Sequence, residues 1–337
     1  MRLQSKLSWA IYAATAVAGL YTFLFSGLVM VGHGIYVFAS EGFKLTKRII
    51  AFLLASLVAL VGFAPWLFAV IANLSKVQSG TNWAAQKVNL LSLAAMWAGN
   101  ISRLFLDLGV GSDDPVVSFI PLIPPILTLL IITVYTIYFI CKNTPKKVWL
   151  FVLIFIAVTW LALVVPDLIF GGRRSGVTRY TIPCYLGIQL AVAYLLAVKI
   201  RREALWRLVV IALLLSGILS CAISSEAQVW WNKGPDRTKY NPQVAYIINQ
   251  ATRPLLLSDA NPAHVLSLSY LLDPKVRFQL VDQPKVFKIS QGFSDVFLYK
   301  PSEKFRRALE EEGNLKFKPI EKLGKFQDKL WLLNSVS

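Results

Sequence analysis

Three arginines and a tyrosine lie close together in the stretch "GGRRSGVTRY", residues 171–180. Arg173, Arg174 and Arg179 carry planar guanidinium groups, which bind phosphate oxygens through paired hydrogen bonds. Apolar segments flank the stretch on both sides, and arginine is costly next to hydrocarbon. We therefore expect these arginines and Tyr180 to bind a phosphate group from outside the chain. Arg179 and Tyr180 are the stronger pair, because they lie where a span begins.

Two simpler interpretations of the same arginines stay open. They can contact anionic lipid headgroups and thereby anchor the end of a span. Asp167, just before the stretch, can also form a structural ion pair with Arg173 or Arg174.

The weak candidates for a catalytic base are two acidic residues in a different loop. Asp113 and Asp114 in "GVGSDDPVV" can act as a general base and a metal ligand. A turn and helix cap ahead of Pro115 is the favoured interpretation. Arg103 and Asp107 are four residues apart, which favours a local ion pair over orientation of a lipid headgroup.

Other conspicuous residues have simpler explanations. Three conspicuous residues in the same loop as the acidic pair are interpreted as plain loop residues, namely Lys76, Lys87 and Trp83. Pro65 and Trp66 indicate a helix kink with an aromatic ring near the membrane interface.

Histidine and cysteine are too sparse for metal or triad chemistry. The two histidines, His33 and His264, are far apart, and we interpret His33 as a packed polar residue. The spacing of Cys141, Cys184 and Cys221 indicates neither a disulfide framework nor a metal site. We expect no cofactor and no divalent metal.

The composition is that of an integral membrane protein. Of 337 residues, 56% are hydrophobic and only 16% are charged, against about a quarter charged in soluble proteins. The net charge of +17 therefore indicates basic cytoplasmic loops. Binding of nucleic acid is not indicated, because the sequence has no basic stripe with interleaved aromatic residues. Six segments are long enough to span a bilayer, namely 9–39, 48–73, 119–141, 148–170, 180–198 and 206–223.

The distribution of lysine and arginine predicts the orientation of these spans. Loops 40–48, 141–148 and 199–207 are short and basic, which assigns them to the cytoplasmic side. The N-terminus, loop 74–115, loop 171–179 and the C-terminal tail then lie outside. Loop 171–179 is the basic exception on the outer side, so its arginines need a reason other than topology.

The long outer loop contains a predicted interfacial helix. Apolar residues recur there at three- and four-residue steps, which indicates a helix with one apolar stripe. Asn100, Arg103 and Asp107 fall off this stripe. The stripe comprises Leu90, Ala94, Trp97, Ile101, Leu104 and Leu108.

From about residue 224 the composition becomes that of a soluble domain. Alternating patterns predict helices at 241–251, 261–272 and 301–313 and strands at 254–259, 276–282, 295–300 and 329–334. Such alternation is typical of a small α/β domain with a largely parallel sheet. The predicted architecture is thus a polytopic α-helical membrane domain over 1–223 and a soluble extracytoplasmic α/β domain over 224–337.

The membrane half resembles the GT-C membrane glycosyltransferases, and within them the bacterial protein-mannosyltransferase and aminoarabinose-transferase group. The resemblance lies in a multi-span helical core, an interfacial helix in an outer loop and an arginine-tyrosine pair at the outer mouth of a span. The segments that carry it are "GLYTFLFSGLVMVGHGIYVF" (19–38), "GFAPWLFAV" (62–70), "NISRLFLDLG" (100–109) and "SGVTRYTIPCYLGIQLAVAYLL" (175–196).

The resemblance implies transfer of a sugar from a polyprenyl-phosphate donor to a lipid, glycan or protein acceptor at the outer face of a bacterial plasma membrane. It also implies that the donor phosphate binds near a lysine such as Lys76 or Lys87 and is held by Arg173, Arg174, Arg179 and Tyr180. The family base is an acidic residue in the first outer loop, and this sequence has no such residue. We therefore expect a fragment of the full enzyme, with a protein partner supplying the missing N-terminal spans.

Two other classes of protein are compatible with parts of the sequence. A non-catalytic membrane protein would bind lipid phosphate, or a partner through its soluble domain. A secondary transporter is disfavoured, because the spans carry almost no charge at mid-depth and show no inverted repeat.

Overall fold

A computed structural model describes residues 6–111, 114–231, 238–281, 292–311, 315–320 and 329–333. The chain divides into two compact units. The first comprises residues 1–107 and 120–219, and the second comprises 108–119 and 220–337. Residues 108–119 of the predicted outer loop therefore belong to the second unit.

The first unit is a helical bundle. Its helices are α1 (Lys6–Thr22), α2 (Ser26–Ser40), α3 (Lys47–Ala72), α4 (Leu74–Thr81), α5 (Leu90–Ser102), α6 (Ile123–Asn143), α7 (Lys146–Phe170), α8 (Ile182–Lys199) and α9 (Ala204–Glu226), the last of which continues into the second unit. Among the described residues, five helices are long and apolar enough to cross a membrane: α3, α6 with the turn before it, α7, α8 and α9. The chain is a multi-pass helical membrane protein, as its composition predicts.

The single span predicted over residues 9–39 is wrong. The chain reverses at residues 23–25, so α1 and α2 form an antiparallel hairpin. The Ser26 hydroxyl donates to the Gly19 carbonyl at 3.1 Å near the turn, and the Tyr12 hydroxyl lies 3.3 Å from His33 Nδ1 farther along. His33 is thus a packed polar residue, consistent with its predicted role.

The reversal carries no polar signal in the sequence. Between Lys6 and Glu41 there is no acidic residue, lysine, arginine or proline, so hydropathy indicates one continuous span. Small side chains make the close approach possible, since a Cβ on Gly19 would lie only 3.3 Å from the Ser26 hydroxyl. Backbone hydrogen bonds such as Ser26 N–H to the Phe23 carbonyl close the turn.

Because of the hairpin, α1 begins at the opposite end of the bundle from the one that a single span would give. Helix α1 runs parallel to α3: the rings of Tyr12 and Phe52 lie 5.8 Å apart, and the Tyr21 hydroxyl donates to the Gly62 carbonyl. Lys6 therefore lies at the end where α3 begins. The prediction that the N-terminus lies on the side opposite loop 40–48 is wrong for this reason.

The bundle has two chemically different ends. The arginine end is formed by the α1–α2 turn (23–25), residues 82–89 and residues 171–181, where Phe25 stacks on Tyr180 and the Arg173 N–H bonds to the Ala84 carbonyl. The lysine end is formed by residues 41–46, 144–145 and 200–203 and by the start of α1. Helix α8 joins the two ends through the centre of the bundle, with Ala191, Val192 and Leu195 buried.

The second unit contains a five-stranded sheet with helices. Its described elements are α10 (Asn241–Asn249), β1 (Pro254–Ser258), α11 (Pro262–Ser269), β2 (Arg277–Leu280), β3 (Asp295–Tyr299), α12 (Glu303–Glu311), β4 (Phe317–Pro319) and β5 (Leu330–Leu333). The strand order is β2-β1-β3-β5-β4. Strand β1 is parallel to β2 and β3, whereas β5 is antiparallel to β3 and β4.

The predicted helices and strands of this domain are confirmed, but the sheet is mixed rather than largely parallel. Strand β4 was not predicted, because three residues that include Lys318 and Pro319 carry no strand pattern. It pairs with β5 and makes that edge antiparallel. In the core, the buried Tyr299 hydroxyl donates to Asn241 Oδ1 at 3.0 Å, which satisfies both side chains.

The hairpin predicts which residues share a side of the membrane. In a variant with the native cysteines replaced by serine, Lys6→Cys and Lys44→Cys should react with a membrane-impermeant maleimide from the same side. Asn82→Cys, at the arginine end, should react from the other side. If Lys6→Cys and Asn82→Cys reacted from the same side, residues 9–39 would cross the membrane once and the hairpin would be contradicted.

Candidate functional site

The loop at residues 171–180 begins with two glycines that end α7. Gly171 and Gly172 have φ values of +77° and +143°, which other residues rarely adopt. A Cβ on Gly172 would lie 2.6 Å from an Asp167 oxygen and 2.5 Å from an Arg174 nitrogen. The glycines therefore bring the end of α7 close enough to the loop for these two side chains to meet.

Asp167 is the buried centre of this loop. Its side chain is fully buried, and its carboxylate accepts hydrogen bonds from the Ser175 N–H and hydroxyl, both at 2.7 Å. Arg174 donates to the other carboxylate oxygen at 3.1 Å. Of the two partners predicted for Asp167, Arg174 forms the ion pair, and this pair fixes the shape of the loop.

Helix α5 is held against the same loop by polar contacts. Trp97 Nε1 donates to the Ser175 hydroxyl at 3.0 Å, and Asn100 Nδ2 donates to the Gly176 carbonyl at 2.8 Å. The Thr178 hydroxyl completes the contact by donating to Asn100 Oδ1. Asn100 lies off the apolar stripe, as the spacing predicts, yet it is only 4% exposed because it faces the loop. The exposed residues on this helix all lie in its first half; they are Leu90, Leu91, Ser92, Ala94 and Ala95.

Arg173 and Arg179 have a different environment from Arg174. The guanidinium carbon of each lies 5.5 Å from the centroid of the Trp83 ring. Arg179 also lies 5.1 Å from the Tyr180 ring, which stacks on Phe25 with a centroid distance of 4.7 Å. Two arginines from the loop thus share one indole ring from the segment after α4.

Lys87 adds a fourth basic side chain next to the three arginines of the loop. A Cβ on Gly171 would lie 2.8 Å from its side-chain stem, so the stem passes directly over the glycine. Lys76 lies within α4, and Pro65 lies within α3, where Trp66 stacks on Phe63. No contact that we describe places Lys76 or Trp66 at the loop.

Two carboxylates on the described elements around this loop are paired with arginines. Asp167 pairs with Arg174, and Asp107 lies 3.9 Å from Arg103. Helix α5 ends at Ser102, so the second pair lies across the turn that follows the helix rather than along it. Within the described part of the chain, neither Arg173 nor Arg179 has an ion-pair partner.

The acidic pair predicted as a weak candidate base lies in the second unit. Asp114 accepts a hydrogen bond from the Gly111 N–H at 2.8 Å. It also forms an ion pair with Lys239 at 3.3 Å. The backbone hydrogen bond, aided by Lys239, holds the pKa of Asp114 below its usual value. Asp114 is therefore a carboxylate that stabilises a turn, while Asp113 lies outside the described residues.

A small apolar cavity lies next to the loop's attachment to α5. Its volume is about 120 Å³, and it is bounded by α5, α7 and α8. The lining includes Trp97, Trp160, Cys184 and Tyr185. Among the residues that the structure describes, no group of three or more histidine, cysteine or acidic side chains is arranged to hold a metal ion.

Several residues of this site were not identified as such from the sequence. In the sequence, Trp83 is only an aromatic residue in a loop. Phe25 lies in the middle of the single span predicted over residues 9–39. Asn100 gave the clearer signal, as an amide in an otherwise apolar helix, because a buried amide requires partners.

Comparisons with protein-family models, curated proteins and solved structures find no match for this chain. Fold and site together define its class as a multi-pass helical membrane protein with a small soluble domain. In the membrane unit, two arginines without carboxylate partners among the described residues lie at one end of the bundle.

The buried network around Asp167 predicts a large effect of a small substitution. Asp167→Asn should lower the free energy of unfolding by about 2 kcal/mol, because an amide nitrogen would face donors that need an acceptor. The thermal unfolding midpoint of the detergent-solubilised protein measures this effect.

Glu41→Gln is the matched control for that measurement. Glu41 forms a partly exposed ion pair with Arg48 at the lysine end, so its loss should cost less than about 1 kcal/mol. Equal midpoints for the two variants would contradict a structural role for Asp167.

Proposed function

We propose that this protein binds the phosphate of a polyprenyl-phosphate-linked sugar at the arginine end of its membrane unit and takes part in transfer of that sugar. The observation that carries the proposal is the pair Arg173 and Arg179, two guanidinium groups at a span end with no carboxylate partner among the described residues. Guanidinium groups bind phosphate oxygens with favourable geometry and charge.

The contrast with Arg174 supports a ligand-binding role. Arg174 shows how this fold uses a structural arginine: it pairs with a buried carboxylate and bonds to the Gly171 carbonyl. Arg179 is exposed, and within the described residues its guanidinium donates one long hydrogen bond, 3.4 Å, to the Tyr180 hydroxyl. Its charge remains available to a negatively charged group from outside the protein.

The proposed chemistry assigns these arginines to the leaving group. When the bond between sugar and phosphate breaks, negative charge accumulates on the phosphate, and positioned cations stabilise it. The acceptor must lose a proton, and the two described carboxylates nearest the loop, Asp107 and Asp167, are paired with arginines. We therefore propose that the base comes from a partner protein, and that the membrane is a bacterial plasma membrane with the arginine end and the soluble domain outside.

The engaged carboxylates also favour a second candidate function. Without a base, the same arginine pair would hold lipid phosphate in a protein that transfers nothing itself and acts through a partner of its soluble domain. Both functions require phosphate binding, so they differ only in whether sugar is transferred.

Calorimetric titration of the detergent-solubilised protein with farnesyl phosphate tests the shared step. Arg173→Gln and Arg179→Gln should each weaken binding about tenfold, because each removes a charge-assisted contact. Arg201→Gln is the control, since Arg201 is an exposed arginine at the lysine end. Unchanged affinity in both arginine-end variants would refute the proposal.

Membrane vesicles then separate the two functions. Vesicles that contain the protein should move label from a polyprenyl-phosphate sugar into a lipid, glycan or protein fraction, and the double variant should not. Arginine-dependent binding without transfer, even when proteins from the source membrane are added, would favour the non-catalytic function.

A further inference from the structure

Trp83 links the two arginines that have no carboxylate partner among the described residues. Arg173 and Arg179 are six positions apart in the loop, and both guanidinium carbons lie 5.5 Å from its ring centroid. The segment that carries Trp83 is fixed to the loop by the backbone hydrogen bond from Arg173 to Ala84, at 3.0 Å. The indole ring therefore holds two positive charges near each other. Cation–π attraction to the ring offsets part of the repulsion between the two guanidinium groups.

The hydrogen-bonding capacity of this pair is largely unused. Nε of Arg173 is buried and has no hydrogen-bond partner within the described part of the chain. Arg179 makes only the long bond to the Tyr180 hydroxyl among the hydrogen bonds we describe. A buried donor without an acceptor is costly, so an anionic ligand with several acceptor oxygens would stabilise this arrangement.

The charges around the pair do not offset it. Lys87, which passes over Gly171, adds a positive charge, and Arg174 is already neutralised by Asp167. Among the described residues, Tyr180 is a further titratable group in contact with Arg179, and the α1–α2 turn contributes the uncharged ring of Phe25. At least two positive charges therefore remain for a ligand.

We propose that Trp83 positions Arg173 and Arg179 as a site selective for a lipid phosphomonoester over a phosphodiester. The inference rests on the proposed phosphate binding and names the charge of the ligand that fits best. A monoester carries up to two negative charges near neutral pH, whereas a diester carries one. The sugar-linked donor is a diester and the carrier phosphate left after transfer is a monoester, so the site holds the product form more tightly.

A pair of probes with the same hydrocarbon chain tests the selectivity. The full-length protein in detergent is titrated with farnesyl phosphate and with its methyl ester. At pH 7.5 the monoester should bind about tenfold more tightly, because it offers the second charge to the second guanidinium. Towards pH 5 this advantage should shrink to about twofold, since the second ionisation of a phosphomonoester lies near pH 6 and guanidinium stays charged.

Variants of Trp83 test its positioning role. Trp83→Leu should reduce the monoester advantage to about twofold at pH 7.5, and Trp83→Phe should keep most of it, because the phenyl ring retains a face for the cations. Trp206→Leu is the control, since Trp206 stacks on Tyr135 near the lysine end. Thermal unfolding of each variant shows whether the fold is retained, and Trp83→Phe supports the comparison if Trp83→Leu is unstable.

The outcomes separate this inference from the proposed function. Equal affinity for the monoester and its methyl ester, with both lost in Arg179→Gln, would overturn the selectivity and leave phosphate binding standing. A flat pH profile would do the same. If methyl phosphate bound as tightly as farnesyl phosphate, the ligand would not be a lipid. If none of the probes bound, the proposed function itself would be overturned.

Discussion

The buried carboxylate of Asp167 is the interaction on which the arginine end depends. A carboxylate without solvent requires several donors, and here Ser175 supplies two and Arg174 a third. These bonds pull the loop back onto α7, while Trp97 attaches α5 to the same serine. Loop, α5 and α7 are thus joined through one side chain, and the positions of the remaining arginines follow from it.

This network explains why three neighbouring arginines have different roles. Arg174 neutralises Asp167, so it contributes little charge to the surface. Arg173 and Arg179 lie instead on Trp83, where an aromatic face replaces a carboxylate. An aromatic partner holds a cation in place without cancelling its charge, which is the property that a phosphate-binding site needs. Arginine content alone does not distinguish these roles, whereas the partner of each arginine does.

The sequence predicts those features that depend on local pattern. Long apolar runs identify α3, α6, α7, α8 and α9, and strand patterns identify β1 and β3. The ion pair of Asp167 was predicted with two possible partners, because the choice depends on the backbone conformation at Gly171 and Gly172. Trp83 could not be assigned a role, since its contact with Arg173 joins segments ninety residues apart. Sugar transfer itself stays a prediction, because it rests on resemblance rather than on a described catalytic base.

The mistaken first span and the candidate site are connected. If residues 9–39 crossed the membrane once, Phe25 would lie near the middle of the bilayer, far from any span end. Because α1 and α2 form a hairpin, the turn brings Phe25 to the arginine end, where its ring stacks on Tyr180. Tyr180 in turn contacts Arg179. The hairpin therefore supplies the aromatic support for the exposed arginine, and it places Lys6 with the other basic residues at the lysine end, as the charge rule for membrane proteins favours.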